Sequence, residues 1–389
     1  MKLERLINLA DFESAARKRL PRPVFDVIAG GAGDETTLDW NSSAFSRIRL
    51  HPRSLVDIRE IDLATTILGT KTSMPILLDP AGYQRMAHRD AELAVARAAG
   101  AAGTVFALST VSSYQLEDVS RVASGPKWFQ LYLPPGDRGP EKILGRAAAA
   151  GFDALCLTVD TPTKALRERD TRNKFSVPLS VTPHLVAQTA MRPRWAVDFV
   201  RGGVGRGTFG FNKKVLSMND AGNALSSALR PVTPEEIRLV RRLWDGPLVI
   251  KGVLRADQCE TFLNLGADAL VVSNHGGRQL DTAVSTVEAL PRIVDIVRGR
   301  AEVYLDGGIR RGTDVVKAVA LGARAVLIGR PYLYGLAVGG EAGVRRVLEI
   351  LYDETENAMG LLGARRLCDL DRSFVTLPHE GWTDTPCSH

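Results

Sequence analysis

Eight short apolar runs recur along the chain, and stretches of mixed polarity separate them. The runs are 74–78, 104–108, 128–132, 154–159, 248–251, 269–272, 303–305 and 325–328. Runs that are apolar on both faces are typical of strands in a parallel sheet. Most of the intervening stretches, such as 90–101 and 255–265, are rich in Ala, Leu, Glu and Arg at helical spacing. Eight strand–helix units in series predict an α/β protein with a (β/α)8 TIM barrel.

Two parts of the chain lie outside this repeat. Residues 1–60 are predicted to form short helices before the barrel, as an N-terminal helical extension. Residues 176–231 separate the fourth strand from the fifth and are too long for an ordinary connection. We interpret them as a lid insertion over the barrel mouth. A membrane-docking patch is an alternative, because basic and aromatic residues mix there, and a poorly ordered loop is another for the glycine-rich half at 202–207.

Composition places the chain among soluble globular proteins. With 389 residues, 45% of them hydrophobic and 24% charged, it has the size of a barrel with insertions, and a single domain over 1–389 is predicted. The net charge is +6, and the 50 basic residues are scattered among 44 acidic ones without a block of like charge. Binding of nucleic acid is therefore not expected, whereas anionic small molecules fit the mild positive charge.

The cysteines and the amino terminus exclude several further classes of protein. Cys156, Cys259, Cys368 and Cys387 share no CxxC spacing, so neither a metal site nor a disulfide framework is predicted. Residues 1–20 are charged and amphipathic and lack the apolar core of a signal peptide. No apolar run approaches the 18 residues of a membrane span, so we expect a cytoplasmic protein.

The most informative motif is Ser273–Asp281, which directly follows the sixth predicted strand. It places His275 and Arg278 at the carboxyl end of that strand, where barrel enzymes build their active sites. A general base beside a fixed cation suits the oxidation of a substrate that carries both a hydroxyl and a carboxylate. The alternative, a capping histidine and a surface arginine, would be preferred for either residue alone.

Polar residues also follow the other strands. They are Gln130 and Tyr132 after the third strand, Thr158 and Asp160 after the fourth, Lys251 in the fifth, Asp306 to Arg310 after the seventh, and Gly329 and Arg330 after the eighth. The glycines after strands seven and eight would let backbone N–H groups approach a phosphate. Arginine side chains at the same two places would add bidentate hydrogen bonds, so a phosphate site is predicted there.

In these motifs the chain, over residues 6–374, resembles the FMN-dependent 2-hydroxy acid oxidases and dehydrogenases. The matching segments are Gly30–Glu35, Phe129–Tyr132, Leu157–Asp160, Ile250–Gly252, Ser273–Asp281 and Leu305–Gly312. The resemblance implies a bound FMN and the oxidation of an L-2-hydroxy acid to a 2-oxo acid, with hydride passing to flavin N5. It also suggests a homo-oligomer, a tetramer or a dimer.

The resemblance further implies roles for individual residues. His275 would take the hydroxyl proton, Asp160 would stabilise the imidazolium, and Tyr132 would bind the substrate oxygen. Arg278 would bind the substrate carboxylate, with Arg167 close by. On the cofactor side, Lys251 would face flavin N1 and O2; the remaining implied contacts are Ala81, Gly82, Ser109, Gln130 and Thr158 at the ring, and Asp306, Gly308, Arg310, Gly329 and Arg330 at the ribityl chain and phosphate.

One departure from the family pattern bears on the substrate. The family usually has a tyrosine at the position of Val27, and its hydroxyl helps to hold the carboxylate. Val111 is small where glycolate oxidase has a bulky aromatic residue, and Tyr83 belongs to the same region. A roomier and more apolar pocket predicts an aryl or long-chain 2-hydroxy acid instead of glycolate or lactate.

Three other interpretations stay open at this point. The same flavin fold could serve as a tailoring enzyme for an amine, a peptide or another secondary metabolite. A phosphate-binding barrel could act as a lyase or isomerase, with Lys251 as Schiff-base nucleophile. A barrel that only binds a ligand is the third. For the leading interpretation the electron acceptor is open, with oxygen, a quinone or a separate carrier as candidates.

Overall fold

A computed structural model describes residues 2–133, 139–174, 188–201 and 231–378. Its centre is a closed barrel of eight parallel strands, β4 to β11, in the order of the chain. The strands are β1 (Arg49–Leu50), β2 (Thr65–Ile67), β3 (Thr70–Thr72), β4 (Ile76–Leu78), β5 (Phe106–Ser109), β6 (Lys127–Leu131), β7 (Ala154–Thr158), β8 (Leu248–Val253), β9 (Ala269–Val272), β10 (Glu302–Asp306), β11 (Ala325–Ile328) and β12 (Val375–Thr376). All eight predicted barrel strands, and with them the (β/α)8 fold, are confirmed.

The register of the barrel aligns the polar strand ends. Ser109 lies opposite Gln130, and Thr158 lies opposite Lys251, so these four side chains share the carboxyl-end rim. Side chains alternate along each strand, because successive residues point to opposite faces of a sheet. Inward-facing strand residues such as Cys156 fill the barrel interior, whereas outward-facing residues such as Leu155 pack against the helices.

Helices surround the barrel as the sequence predicts. They are α1 (Leu9–Arg19), α2 (Arg22–Ala29), α3 (Thr36–Arg47), α4 (Ala91–Ala101), α5 (Leu116–Val122), α6 (Gly139–Ala149), α7 (Glu168–Arg172), α8 (Pro193–Arg201), α9 (Pro234–Leu243), α10 (Cys259–Asn264), α11 (Thr286–Val297), α12 (Gly312–Ala320) and α13 (Arg330–Leu362). The last is two helices joined at a kink, where Gly340 has a φ of 58°. None of the described helices is long and apolar enough to cross a membrane.

The predicted N-terminal extension is helical only in part. After α1, α2 and α3, the chain enters β1, which pairs antiparallel with β12 near the other end of the chain. The pattern gave no sign of this pair, because each strand has only two residues and a partner more than three hundred positions away. The extension nevertheless matters for the site, since the carboxyl end of α2 lies against the barrel mouth.

Only part of the predicted lid, 176–231, lies within the described residues. Its helix α8 packs beside the barrel mouth: Trp195 Nε1 donates a hydrogen bond of 2.7 Å to the Met86 carbonyl. Asp198 accepts another, of 3.0 Å, from the backbone N–H of Arg89. Residues 176–187 and 202–230 lie outside the described part of the chain, so the lid remains a prediction.

Candidate active site

A cavity of about 600 Å³ opens at the carboxyl ends of the barrel strands. Its volume lies in the usual range for cofactor and substrate sites. Thirteen of the predicted site residues line it: Ala81, Gly82, Ser109, Tyr132, Arg167, Lys251, His275, Arg278, Asp306, Gly308, Arg310, Gly329 and Arg330. Gln130, Thr158 and Asp160 stand behind this lining, where Ser109 Oγ donates to Gln130 and Gln130 Nε2 donates to Thr158 Oγ1 at 2.9 Å.

The predicted base and its partner are in contact. His275 Nδ1 lies 3.1 Å from Asp160 Oδ1, and His275 Nε2 lies 3.3 Å from the Tyr132 hydroxyl. A carboxylate at Nδ1 favours the tautomer that carries its proton there, which leaves Nε2 as the basic nitrogen. Gly252 makes this approach possible, since a Cβ at that position would lie 2.6 Å from Asp160 Cβ. His275 itself has a φ of 57°, a strained conformation of the kind that functional sites often hold.

Three buried or half-buried arginines gather at the mouth of the cavity. We call Arg278, Arg167 and Arg330, together with the cavity-lining carboxylate Asp170, the mouth cluster. Burial lowers the pKa of Arg278 well below its ordinary value, and the charges of Arg167 and Arg330 lower it further. Guanidinium groups keep their proton even so, so the cluster holds an excess of positive charge. An anion placed there would relieve the repulsion.

Arg278 is held in place by the end of α2. Its Nη1 donates to the carbonyls of Val27 and Gly30, at 2.7 and 2.8 Å. Arg167 Nε donates in turn to the backbone carbonyl of Arg278, at 3.3 Å. Within the described residues, no group accepts a hydrogen bond from Nε or Nη2 of Arg278, so these donors remain for a ligand.

The Arg330 side chain makes hydrogen bonds that the sequence did not predict. Its guanidinium donates to the carbonyls of Ile28, Ala29, Gly30 and Gly276, all at 2.8 to 3.1 Å. Burial lowers its pKa to about 10. Each of its two terminal nitrogens keeps a second N–H, so the predicted phosphate contact of Arg330 stays a prediction, as do those of Gly329 and Arg310. The side chain also joins the end of α2 to the turn that carries His275.

A second group of charges lies on the floor of the cavity. We call Lys251, Asp79, Asp306 and Ser273 the floor cluster. Lys251 Nζ lies 3.1 Å from Asp79 Oδ1, 3.3 Å from Ser273 Oγ, and forms an ion pair with Asp306. Burial alone would lower the pKa of Lys251, but the Asp306 and Asp79 carboxylates outweigh it and hold that pKa well above its ordinary value. Lys251 is therefore an ammonium and unsuited to be a Schiff-base nucleophile.

Sequence reasoning missed Asp79. Burial raises its pKa to about 6; Lys251 opposes this shift, and the charge of Asp306 adds to it. The signal was available, because Asp79 directly follows the first apolar run, where polar residues of a barrel site are expected.

One wall of the cavity consists of two loops that a buried carboxylate joins. Glu92 accepts hydrogen bonds from the backbone N–H groups of Gln84 and Ser113, and burial raises its pKa to about 7. The loops meet where a Cβ on Gly82 would lie 2.4 Å from Val111 Cγ2. Tyr83, between them, lines the cavity with a strained φ of 54°. This wall is therefore held in a fixed shape.

The donor set fits a bound FMN. The floor supplies a buried ammonium, and the loops at Ala81 and Gly82 allow a flat ring to approach the backbone. At the other end, a Cβ on Gly329 would meet no atom nearer than 3.7 Å, so space exists beside Arg310 for a phosphate. Gly308 has a different reason to be glycine, since a Cβ there would lie 2.0 Å from the Asn41 carbonyl and would displace α3.

Fold and site together define a barrel oxidoreductase with a flavin site at the strand ends. The comparisons agree: the chain belongs to the family described as FMN-dependent dehydrogenase, whose profile matches residues 16–377. An L-lactate oxidase of Nostoc sp. is 46% identical over 377 residues, covering 95% of this chain and 98% of that protein. The glycolate oxidase of Spinacia oleracea is 40% identical over 381 residues, covering 97% of each.

Solved structures show the same relationship. A monotopic membrane protein, (S)-mandelate dehydrogenase, superposes with a TM-score of 0.91 at 37% identity, covering 96% of this chain and 99% of that one. A mandelate oxidase superposes with a TM-score of 0.82 at 38% identity, covering 95% and 98%. The chain is thus an FMN-dependent enzyme of the 2-hydroxy acid oxidase and dehydrogenase family, and the lyase and binding-barrel interpretations are wrong.

Proposed function

We propose that this enzyme oxidises a bulky L-2-hydroxy acid, aryl or long-chain, to the 2-oxo acid. The observation that carries the proposal is a single cavity lined by His275, Arg278, Val27 and Val111. The first two residues provide a base and an anion site. The other two leave apolar space beside them.

In the proposed reaction, His275 Nε2 accepts the proton of the substrate hydroxyl while the neighbouring carbon loses its hydrogen with both bonding electrons. FMN, when bound, accepts that hydride. Asp160, 3.1 Å from Nδ1, stabilises the imidazolium that forms. Tyr132, 3.3 Å from Nε2, is placed to bind the same substrate oxygen.

The free donors of Arg278, and Arg167 beside it, hold the substrate carboxylate in the proposed complex. The mouth cluster has three guanidinium groups and one carboxylate, so a bound anion lowers its electrostatic energy. This fixes the substrate by its acid end and places the hydroxyl-bearing carbon near His275. The tailoring alternative has no support from the relatives, and an amine without a carboxylate would give these arginines no ligand.

Size selection follows from Val27 and Val111. A missing tyrosine hydroxyl at position 27 costs about 1 kcal/mol of binding, whereas filling apolar space with a ring or several methylenes contributes about 1–3 kcal/mol. The comparisons point both ways, since the relatives by sequence are named for lactate and glycolate and the structural neighbours for mandelate. The two valines favour the larger acids.

The remaining features of the enzyme stay predictions from its sequence. The predicted electron acceptor is oxygen, a quinone or a separate carrier. The predicted assembly is a dimer or a tetramer, and the predicted location is the cytoplasm.

The test is anaerobic flavin reduction in a stopped-flow instrument, with (S)-mandelate and a long-chain 2-hydroxy acid against glycolate and L-lactate. For each acid the experiment gives the limiting rate of flavin reduction divided by the dissociation constant. We expect this ratio to be at least about 10-fold higher for the bulky acids than for glycolate and L-lactate. Val27→Tyr should shift the preference toward the small acids. Val27→Phe is the matched control, because it fills the same space without the hydroxyl.

Two outcomes would count against the proposal. Equal or better use of glycolate by the natural enzyme would refute the argument from the pocket. Failure of every 2-hydroxy acid to reduce the flavin would instead favour the tailoring alternative.

A further inference from the structure

The floor cluster contains more negative charge than its ammonium can balance. Asp79 and Asp306 both contact Lys251, and all three ionisable groups are largely buried, with side-chain exposures of 17%, 3% and 4%. With both carboxylates ionised, the cluster carries a net charge of −1. Buried charges interact strongly because little water screens them. An uncompensated carboxylate is therefore costly at this position.

The two carboxylates differ in how they are held. Asp306 pairs closely with Lys251 and is almost fully buried. Asp79 lies at 3.1 Å from the ammonium, lines the cavity and keeps a larger exposed fraction. Asp79 is thus the member of the pair that can exchange a proton with solvent. Its pKa, which burial raises to about 6, also lies near neutrality.

Asp79 is close to the reacting groups. The charged groups that act on it come from three neighbouring strands or their ends: Lys251 from β8, His275 after β9 and Asp306 from β10. In a flavoprotein, charge near the ring adjusts the electronics of the cofactor. Lys251 and Asp79 both line the cavity and lie 3.1 Å apart, so a charge at Asp79 would act on the electronics of a flavin that Lys251 faces.

We propose that Asp79 is a redox-linked proton site, which takes up a proton from solvent when the bound FMN is reduced and releases it on reoxidation. The substrate C–H bond breaks and delivers a hydride, which is one proton with two electrons, to the flavin, and the hydroxyl proton goes to His275. The flavin gains one negative charge, and a solvent proton converts the Asp79 carboxylate to a carboxylic acid. Passage of the electrons to the acceptor reverses this uptake.

The sign of the pH dependence follows from this balance. Below about pH 6 Asp79 already carries its proton in the oxidised enzyme, so reduction causes no further uptake there. Reduction adds negative charge nearby and raises the pKa of Asp79 further. Above about pH 6, up to that higher pKa, reduction therefore takes up an extra proton. His275, Lys251 and Asp306 also face this position, so a variant of Asp79 itself is needed to assign the proton.

The experiment is a potentiometric titration of the holoenzyme between pH 5 and 9 with a chemical reductant. Above about pH 6 the potential of the natural enzyme should fall with pH about twice as steeply as that of Asp79→Asn, because one more proton accompanies the two electrons. A second readout is sulfite, which adds to oxidised flavin and leaves a negative charge. At pH 8 we expect Asp79→Asn to bind sulfite about 10-fold more tightly than the natural enzyme, and at pH 5 about equally.

Asp170→Asn is the matched control, because it makes the same chemical change in the mouth cluster. It should keep the steep pH dependence of the potential, because the floor cluster is unchanged; it serves as a control for the potential only, since Asp170 lies beside the arginines that bind anions. If Asp79→Asn loses its FMN, two other measurements decide the question. They are the slope of the potential against pH in the natural enzyme alone and the same slope in the smaller variant Asp79→Ser. Identical slopes and sulfite affinities for natural enzyme and Asp79 variants would overturn the proposal. None of these measurements uses a hydroxy acid, so a wrong substrate proposal would leave them unaffected.

Discussion

The two charge clusters of the cavity are unbalanced in opposite directions. On the floor, two carboxylates contact one ammonium, whereas the mouth cluster has three guanidinium groups and only one carboxylate. The floor can restore its balance internally, because a carboxylate can accept a proton near neutral pH. The mouth cannot, because arginine does not give up its proton in a protein. Its balance requires an anion from outside.

The contrast gives each end of the cavity a different task. The mouth recognises a permanent negative charge and so selects for acids. The floor changes its own charge and so can respond to electrons that arrive on a cofactor. His275 lies between them: it contacts Asp160 and contributes to the electrostatics of Asp79. Variants that change one end and spare the other can test this division.

The largest effect is expected from the residue between the clusters. His275→Gln removes the base, so flavin reduction by substrate should slow by about 10³–10⁴-fold. Binding of FMN and reduction by a chemical agent should stay as in the natural enzyme, since both clusters are intact. Stopped-flow reduction and a chemical titration measure the two properties. Asp160→Ala should slow flavin reduction less, because it removes only the partner of the base. Near-normal flavin reduction by the His275 variant would show that His275 is not the base.

The next effect concerns the mouth alone. Arg278→Met removes a buried, charge-assisted contact to the substrate carboxylate, and kcat/KM should fall by about 10²–10³-fold. The flavin potential should not change, since Lys251 and its carboxylates are untouched. Arg278→Lys keeps the charge without the bidentate geometry, so its kcat/KM should lie between those of the natural enzyme and of Arg278→Met. A shift in potential as large as that of Asp79→Asn would mean that mouth and floor are one electrostatic unit.

The sequence predicted the mouth better than the floor. Eight apolar runs suffice to predict a barrel, because strands buried on both faces leave a strong pattern. The Ser273–Asp281 motif then predicted His275 and Arg278 together, and the structure places both at the cavity. Asp79 was missed because one aspartate after an apolar run looks like an ordinary strand end. Its importance lies in its distance to Lys251, which is 172 positions away.

Side-chain directions and short pairings were also beyond the sequence. The guanidinium of Arg330 donates to carbonyls at the end of α2, a helix about three hundred positions away, and no local pattern predicts this contact. The close approach of α3, which requires glycine at position 308, is likewise a contact that the sequence did not predict. Such details depend on tertiary contacts. A local pattern carries no information about them.

The smallest effect is expected from Asp170, the single carboxylate of the mouth cluster. It lines the cavity, and burial raises its pKa above the ordinary value although Arg278 and Arg167 oppose the shift. Asp26 and Lys164 are the other charged groups that act on it. Once ionised, Asp170 competes with the substrate carboxylate for the same arginines. Asp170→Asn should therefore bind an unreactive carboxylate inhibitor about 2- to 5-fold more tightly at pH 8.

The pH profile separates this competition from other titrations. In the natural enzyme, inhibitor affinity should fall as the pH rises through the pKa of Asp170, because the competing charge appears then. The ratio of the two dissociation constants, measured from the perturbed flavin spectrum, therefore isolates Asp170. A weaker inhibitor complex in Asp170→Asn at every pH would show that this carboxylate orients the arginines instead of competing with the substrate.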